Sequence, residues 1–214
     1  MRRPGTKRTT APVRRRNATA TRAAILTSAR QAFARAGYDG VGVREIAKGA
    51  GVTAMLVNRY FGSKEQLFGE VVADIMARPI ILTERTLNSP QGGEEMAAAL
   101  VDLTSAEGQA LDGFRIMLHS ASSPRAAEIG RGQIEAHYHK MLTAALRGDH
   151  APQRAALLLA FVAGFQVMRQ MVGLSALAEC PPKVLVEVLA PLFQQLWTGE
   201  SRLSRPHQRR RAPL

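Results

Sequence analysis

The sequence predicts an all-α fold, with a small N-terminal helix-turn-helix domain followed by a larger helical body, about nine helices in total. Three observations carry this reading. Apolar residues recur at helical spacing along most of the chain, and no stretch alternates apolar and polar as a half-buried strand would. Glycines and prolines stand where several of these periodic segments stop or start. Finally, 214 residues with a hydrophobic fraction of 46% suffice for one or two domains with a real core.

The elements follow in order. Residues 1–20 contain almost no large apolar group and are expected to form a disordered basic arm. A first helix is expected at 21–36, with Ile25, Leu26, Ala29, Ala32 and Phe33 on one face and Gly37 ending it. A short second helix is expected at 43–50, with Val43, Ile46 and Ala47 inward. Gly51 supplies the turn, and Thr53 is a natural N-cap for a third short helix at about 53–60. Ser63 and Gln66 form a capping box for a fourth helix, which Pro79 kinks or ends. Residues 89–93 read as a loop. Further helices are expected at 94–105, 109–121, 124–146, 152–174 and 182–197, three of them with proline near the first position. The domains are then an arm at 1–20, a helix-turn-helix domain at 21–66, a helical body at 67–200 and a disordered basic tail at 201–214.

Charge divides along the same lines. Residues 1–70 carry a net +10, residues 71–200 a net −3 and residues 201–214 a net +5, within a total of +12. A basic front on a mildly acidic body points to a polyanionic partner for the front. Arg14, Arg15, Arg16 and Arg22 could add phosphate or minor-groove contacts there, or could form a solvated leader.

Other chemistries find little support. Cys180 is the sole cysteine, so no intrachain disulfide forms. The N-terminus lacks an apolar signal segment. The apolar run at 155–165 is too short for a bilayer and leads into Gln166, Arg169 and Gln170. A cytoplasmic location without a membrane partner is expected. The chain holds no G-x-S-x-G elbow, no phosphate-binding P-loop and no H-E-x-x-H pair, so no catalytic residue, cofactor or metal is assigned. His137 and His139 are two apart and face different directions on a helix, a poor metal pair.

The helix-turn-helix reading rests on spacing. A small residue is needed where the helices cross (Ala47), a glycine at the turn (Gly51) and an apolar residue packing back inward (Val57). The run from Arg44 to Phe68, "REIAKGAGVTAMLVNRYFGSKEQLF", resembles the DNA-binding signature of the TetR family of transcriptional repressors. Tyr60, Phe61, Ser63, Lys64, Glu65, Leu67 and Phe68 are its most specific part. The resemblance covers about residues 21–70; beyond them, only length and helical pattern agree.

The resemblance implies a homodimer that binds a double-stranded operator through a recognition helix in the major groove. It implies DNA contacts from Arg44, Thr53, Ala54, Leu56, Asn58, Arg59, Tyr60 and Lys64. Arg59 suits guanine or phosphate, and Asn58 suits adenine. Phe61 and Leu67 are read as core pins. Met55, Leu56, Val57 and Asn58 stand where relatives often have Gly-Thr-Leu-Tyr, and Gly42 stands where Ser or Thr often caps the second helix. The operator sequence is therefore this chain's own. Leu56 could pack on a thymine methyl, and Met55 reads equally as a filler of the small domain's core.

In the body, the two C-terminal helices are expected to pair with their copies, with Gly164 allowing close approach. Phe114, Met117, His137, Tyr138, Met141, Phe165 and Arg169 are candidates to line a pocket for a small apolar or amphipathic effector; ordinary core is the alternative for each. Arg169 is expected to pair with an acid or to point into that cavity. The expected function is a ligand-responsive transcriptional regulator, a repressor on a palindromic operator. The alternative is a nonspecific basic nucleic-acid-binding protein without an effector.

Overall fold

The computed structural model of the chain describes residues 11–77, 80–105 and 112–199, with side chains from residue 17 onward. In chain order the helices are α1 (Ala11–Ala36), α2 (Val43–Gly49), α3 (Ala54–Phe61), α4 (Lys64–Met76), α5 (Glu84–Asn88) and α6 (Gly92–Ser105). They continue with α7 (Asp112–Ser120), α8 (Pro124–Ile134), α9 (Lys140–Ala145), α10 (Ala151–Gln166), α11 (Ser175–Ala178) and α12 (Pro182–Thr198). Two π turns, Glu135–His139 and Val167–Met171, follow α8 and α10. No strand occurs among the described residues, and the fold is all-α as the sequence indicates.

Helix α1 starts at Ala11, ten residues before the expected start. Pro12 falls in the first turn, where a missing N–H costs nothing, and the segment is rich in Ala and Arg, strong helix formers. Residues 11–20 are thus helical rather than a disordered arm. The side chains of Arg14, Arg15 and Arg16 lie outside the described residues, as do Pro79 and the tail at 201–214.

The described helices form two compact units. The first holds α1 to α4 together with α7 and α8. The boundary expected after residue 66 groups α4, α7 and α8 with the helical body, whereas packing joins them to α1, α2 and α3. The reason is aromatic packing that local sequence does not reveal. Phe68 of α4 meets Phe33 of α1 edge-on at 5.1 Å and Tyr38 at 5.1 Å. Leu67, Val71 and Val72 are buried beside it. Helix α7 then docks on α1: the Ser120 hydroxyl accepts from Tyr38 N at 2.9 Å, and His119 Nδ1 lies 2.9 Å from Ala34 O. Helix α8 adds an ion pair, Arg125 to Glu65 of α4 at 3.0 Å.

The second unit packs around α6 and α12. Leu100, Met96 and Ala97 face Phe193 and Trp197 in a core completed by Leu142, Ala155 and Leu158. Gly92 and Gly93, expected in a loop, are the buried first turn of α6. A Cβ on Gly93 would collide with the main chain of Phe193 and Gln194, so only glycine permits this approach. Trp197 Nε1 donates to Ser89 O at 3.2 Å, closing the same corner.

Arg154, only 8% exposed, fastens the end of α12. Its guanidinium donates to the carbonyls of Asp149 (2.9 Å), Leu196 (2.8 Å), Trp197 (3.1 Å), Gly148 (3.4 Å) and Arg147. A cation is favoured there because the last carbonyls of a helix carry partial negative charge. The expected helix at 152–174 appears as α10 continued by its π turn, where Val172 N bonds Val167 O at 2.9 Å. Taken together, Ala151–Met171 is 21 residues long and apolar enough to cross a membrane by length and composition, which corrects the shorter run read from sequence. Arg154 and Arg169 within it are both held by oxygens of the unit itself.

Candidate nucleic-acid interface

Local sequence sets the geometry of α2, the turn and α3. Gly42 caps α2 in an extended conformation without a side-chain bond. Ser28 Oγ donates to Ile46 O at 2.8 Å, and Gly49 lies against Ser28, so α1 and α2 cross through small residues. At the turn Gly51 has φ +67°, a conformation other residues rarely adopt, and Val52 N bonds Ala47 O at 2.9 Å. Thr53 then caps α3, its Oγ1 accepting from Leu56 N at 3.3 Å. Such a cap contributes about 1 kcal/mol.

Helix α3 has two sharply different faces. Val57 is 2% exposed and Phe61 4%, while Met55 is 81% exposed. Asn58 and Arg59 are exposed with it; Ala54, Leu56 and Tyr60 flank the boundary and are half-buried. At about 100° per residue, Met55 stands at the centre of the outward face, with Asn58 and Arg59 within about 60° on either side. Met55 is therefore surface rather than core filler, and it was absent from the expected contacts. Fixing Thr53 as the cap and drawing the wheel from there would have found it.

The cations around α3 differ in availability. Among the described residues, Arg44 and Lys48 of α2 and Arg59 of α3 make no ion pair, and all three are exposed. Arg22 is engaged: it pairs with Glu70 and lies over the Phe61 ring at 5.0 Å from its centroid. Arg35 pairs with Glu45. Lys64, in the first turn of α4, rests over the Tyr38 ring at 4.3 Å. That contact offsets the unfavourable position of a cation at a helix N-terminus. Burial and the nearby carboxylates of Glu65 and Asp39 push the Tyr38 phenol above its ordinary value, keeping it neutral beneath the lysine. Ser63 caps α4, accepting from Gln66 N at 3.1 Å. The reciprocal half of the capping box does not form: Ser63 N bonds Phe61 O at 2.9 Å, and the Gln66 amide folds over Gly62.

The candidate pocket residues do not gather in one place. Phe114 and Met117 belong to α7 in the first unit, where the Met117 thioether packs on Gly130 of α8. His137, Tyr138, Met141, Phe165 and Arg169 belong to the second unit. Tyr138 and Phe165 pack against its core, and burial raises the Tyr138 phenol above its ordinary value. Arg169, 7% exposed, meets no acid among the described residues. It donates to Val101 O (2.9 Å), Thr104 Oγ1 (2.7 Å) and Ser105 Oγ (3.1 Å) at the end of α6, with the Phe165 ring 5.8 Å away. Its partners among the described residues are oxygens at the end of α6. A described cavity of about 170 Å³ lies instead in the first unit, lined by Leu26, Thr27, Arg30, Gln31, Val71, Asp74 and Asp112.

A capped helix with an exposed outward face, packed on a second helix through a glycine turn, is the frame of a helix-turn-helix regulatory domain. Comparison with known proteins agrees. The family described as "Bacterial regulatory proteins, tetR family" matches residues 25–71, and the "Tetracyclin repressor-like, C-terminal domain" matches residues 91–196. The chain belongs to the TetR family of transcriptional regulators.

Among solved structures, a transcriptional regulator from Rhodococcus sp. RHA1 is 26% identical, with TM-score 0.60 over 82% of this chain and 95% of its own. A TetR-family regulator from Streptomyces coelicolor A3 is 24% identical, with TM-score 0.55 over 90% and 98%. A fatty acid degradation regulator from Bacillus halodurans, 14% identical, shares the fold at TM-score 0.61 over 81% and 94%. No curated protein matches the chain at a significant level.

Proposed function

We propose that the chain is a ligand-responsive repressor that binds a palindromic operator as a homodimer, with α3 in the major groove. The observation that carries this reading is the division of α3. Val57 and Phe61 hold one face in the core, while Met55, Asn58 and Arg59 stand outward; Arg44 and Lys48 of α2 are likewise exposed and make no ion pair among the described residues. Thr53, Ala54, Leu56, Tyr60 and Lys64 complete the proposed contact set. Cations without acid partners are free to neutralise phosphates. Base reading then falls to the outward residues.

A homodimer is supported by the second unit's surface. Val184, Val188 and Leu192 form an exposed apolar stripe along α12, and Leu157 and Phe161 are exposed on the neighbouring α10. Covering such a stripe with a second copy removes apolar area from water. Gly164, also exposed on α10, leaves open space at its Cα. The effector is proposed to be a small apolar or amphipathic molecule taken up by the second unit. The π turn at Val167–Met171, which carries Arg169, supports that choice, because π turns recur at functional sites. The protein is proposed to work in the cytoplasm.

Selection of random DNA duplexes with the full chain at physiological salt tests the reading. The expected result is a consensus with two-fold symmetry and half-sites about one helical turn apart. Retention of duplexes without any consensus overturns it in favour of nonspecific binding through the basic segments.

A further inference from the structure

The outward face of α3 has a composition that bears on what it reads. Its centre is Met55, a thioether 81% exposed, with no hydrogen-bonding group strong enough to specify a base edge. Beside it Leu56 is half-buried and Ala54 has only a methyl group. Three successive residues at the start of the helix thus present carbon and sulfur. Polar groups follow only one turn later, at Asn58 and Arg59. Leaving a methionine almost wholly in water forgoes the gain of burial, about 0.8 kcal/mol per methylene. Its surroundings also decide what would cover it. Arg59, on the same face, is exposed and makes no ion pair among the described residues, so an apolar protein partner would have to bury an uncompensated cation, whereas a polyanion neutralises it. In the major groove one base offers an apolar surface, thymine through its C5-methyl group.

We infer that Met55 is a specificity-determining residue of this regulator, reading a thymine in each operator half-site by contact with its C5-methyl group. Asn58 and Arg59 then read or clamp the positions to either side, one turn further along the helix. The inference rests on the proposed operator binding and deepens it by naming what the centre of the recognition surface selects. The flexible unbranched side chain suits this work, since methionine adapts its shape to an irregular apolar surface.

The test uses the consensus duplex recovered by selection. Each thymine of the half-site is replaced in turn by deoxyuridine, which keeps every hydrogen bond and removes only the methyl group. Affinities are measured for the wild-type chain and for Met55→Ala, a surface change that leaves the core untouched. The expected result is one thymine per half-site at which deoxyuridine weakens wild-type binding about three- to fivefold, the factor that one methyl group corresponds to. The same replacement has no effect on Met55→Ala. Wild-type affinity within twofold at every deoxyuridine position overturns the inference, as does a methyl effect that persists unchanged in Met55→Ala. Both outcomes leave operator binding itself standing. Failure to recover any symmetric site sinks the operator reading first, and the inference with it.

Discussion

Arg59 of the first unit and Arg154 and Arg169 of the second are used in opposite ways. In the first unit Arg59 projects from α3 without an acid partner, among exposed side chains. In the second, Arg154 and Arg169 are each more than nine-tenths buried and are saturated by oxygens at helix ends. Among the described residues none of the three has a carboxylate, yet the consequences differ. A buried guanidinium without an acid is tolerable only if dipoles and hydrogen bonds replace its water. The Val101 carbonyl and the Thr104 and Ser105 hydroxyls of α6 do so for Arg169, and the carbonyls of residues 147–149 and of the end of α12 do so for Arg154. The exposed guanidinium keeps its water and its full charge for a ligand. Position relative to a helix terminus, rather than residue type, separates a structural arginine from a recognition one.

Ways to break this contrast run from large effects to small. Arg154→Met keeps much of the volume but orphans the five carbonyls that the guanidinium now holds. A loss of roughly 3 kcal/mol in stability is expected, read as a lowered denaturation midpoint. A midpoint unchanged within error would mean that Arg154 anchors nothing. Thr53→Ala is expected to act more weakly. It removes the cap to Leu56 N and costs about 1 kcal/mol, measurable in the same denaturation series. Operator affinity should fall along with it, since the cap also fixes the angle of α3; a stable variant with intact binding would show that the cap is dispensable.

The helix-turn-helix was legible in the sequence because its constraints are local. Ala47, Gly51, Thr53, Val57 and Ser63 act within one or two turns of their own position, and all five do what spacing implies. Phe61 and Leu67 are buried as the pin reading requires. The pieces that were misread depend on distant chain. Gly92 and Gly93 look like loop glycines until α12, about a hundred residues later, is laid against them. The assignment of α7 to the first unit depends on Ser120 and His119 meeting the end of α1. Arg169 is expected either beside an acid or in a cavity; its partners at the end of α6 are invisible to any local window. Met55 is left open between core filler and surface by the sequence, because apolar residues are usually inward; the fold leaves it 81% exposed.

The most direct test of the account compares Arg59→Ala with the wild-type chain in two assays, operator affinity and thermal midpoint. The account predicts a loss of roughly 1–3 kcal/mol in operator binding, with the midpoint unchanged. Full operator affinity in Arg59→Ala, or a midpoint that falls as far as in Arg154→Met, would contradict it.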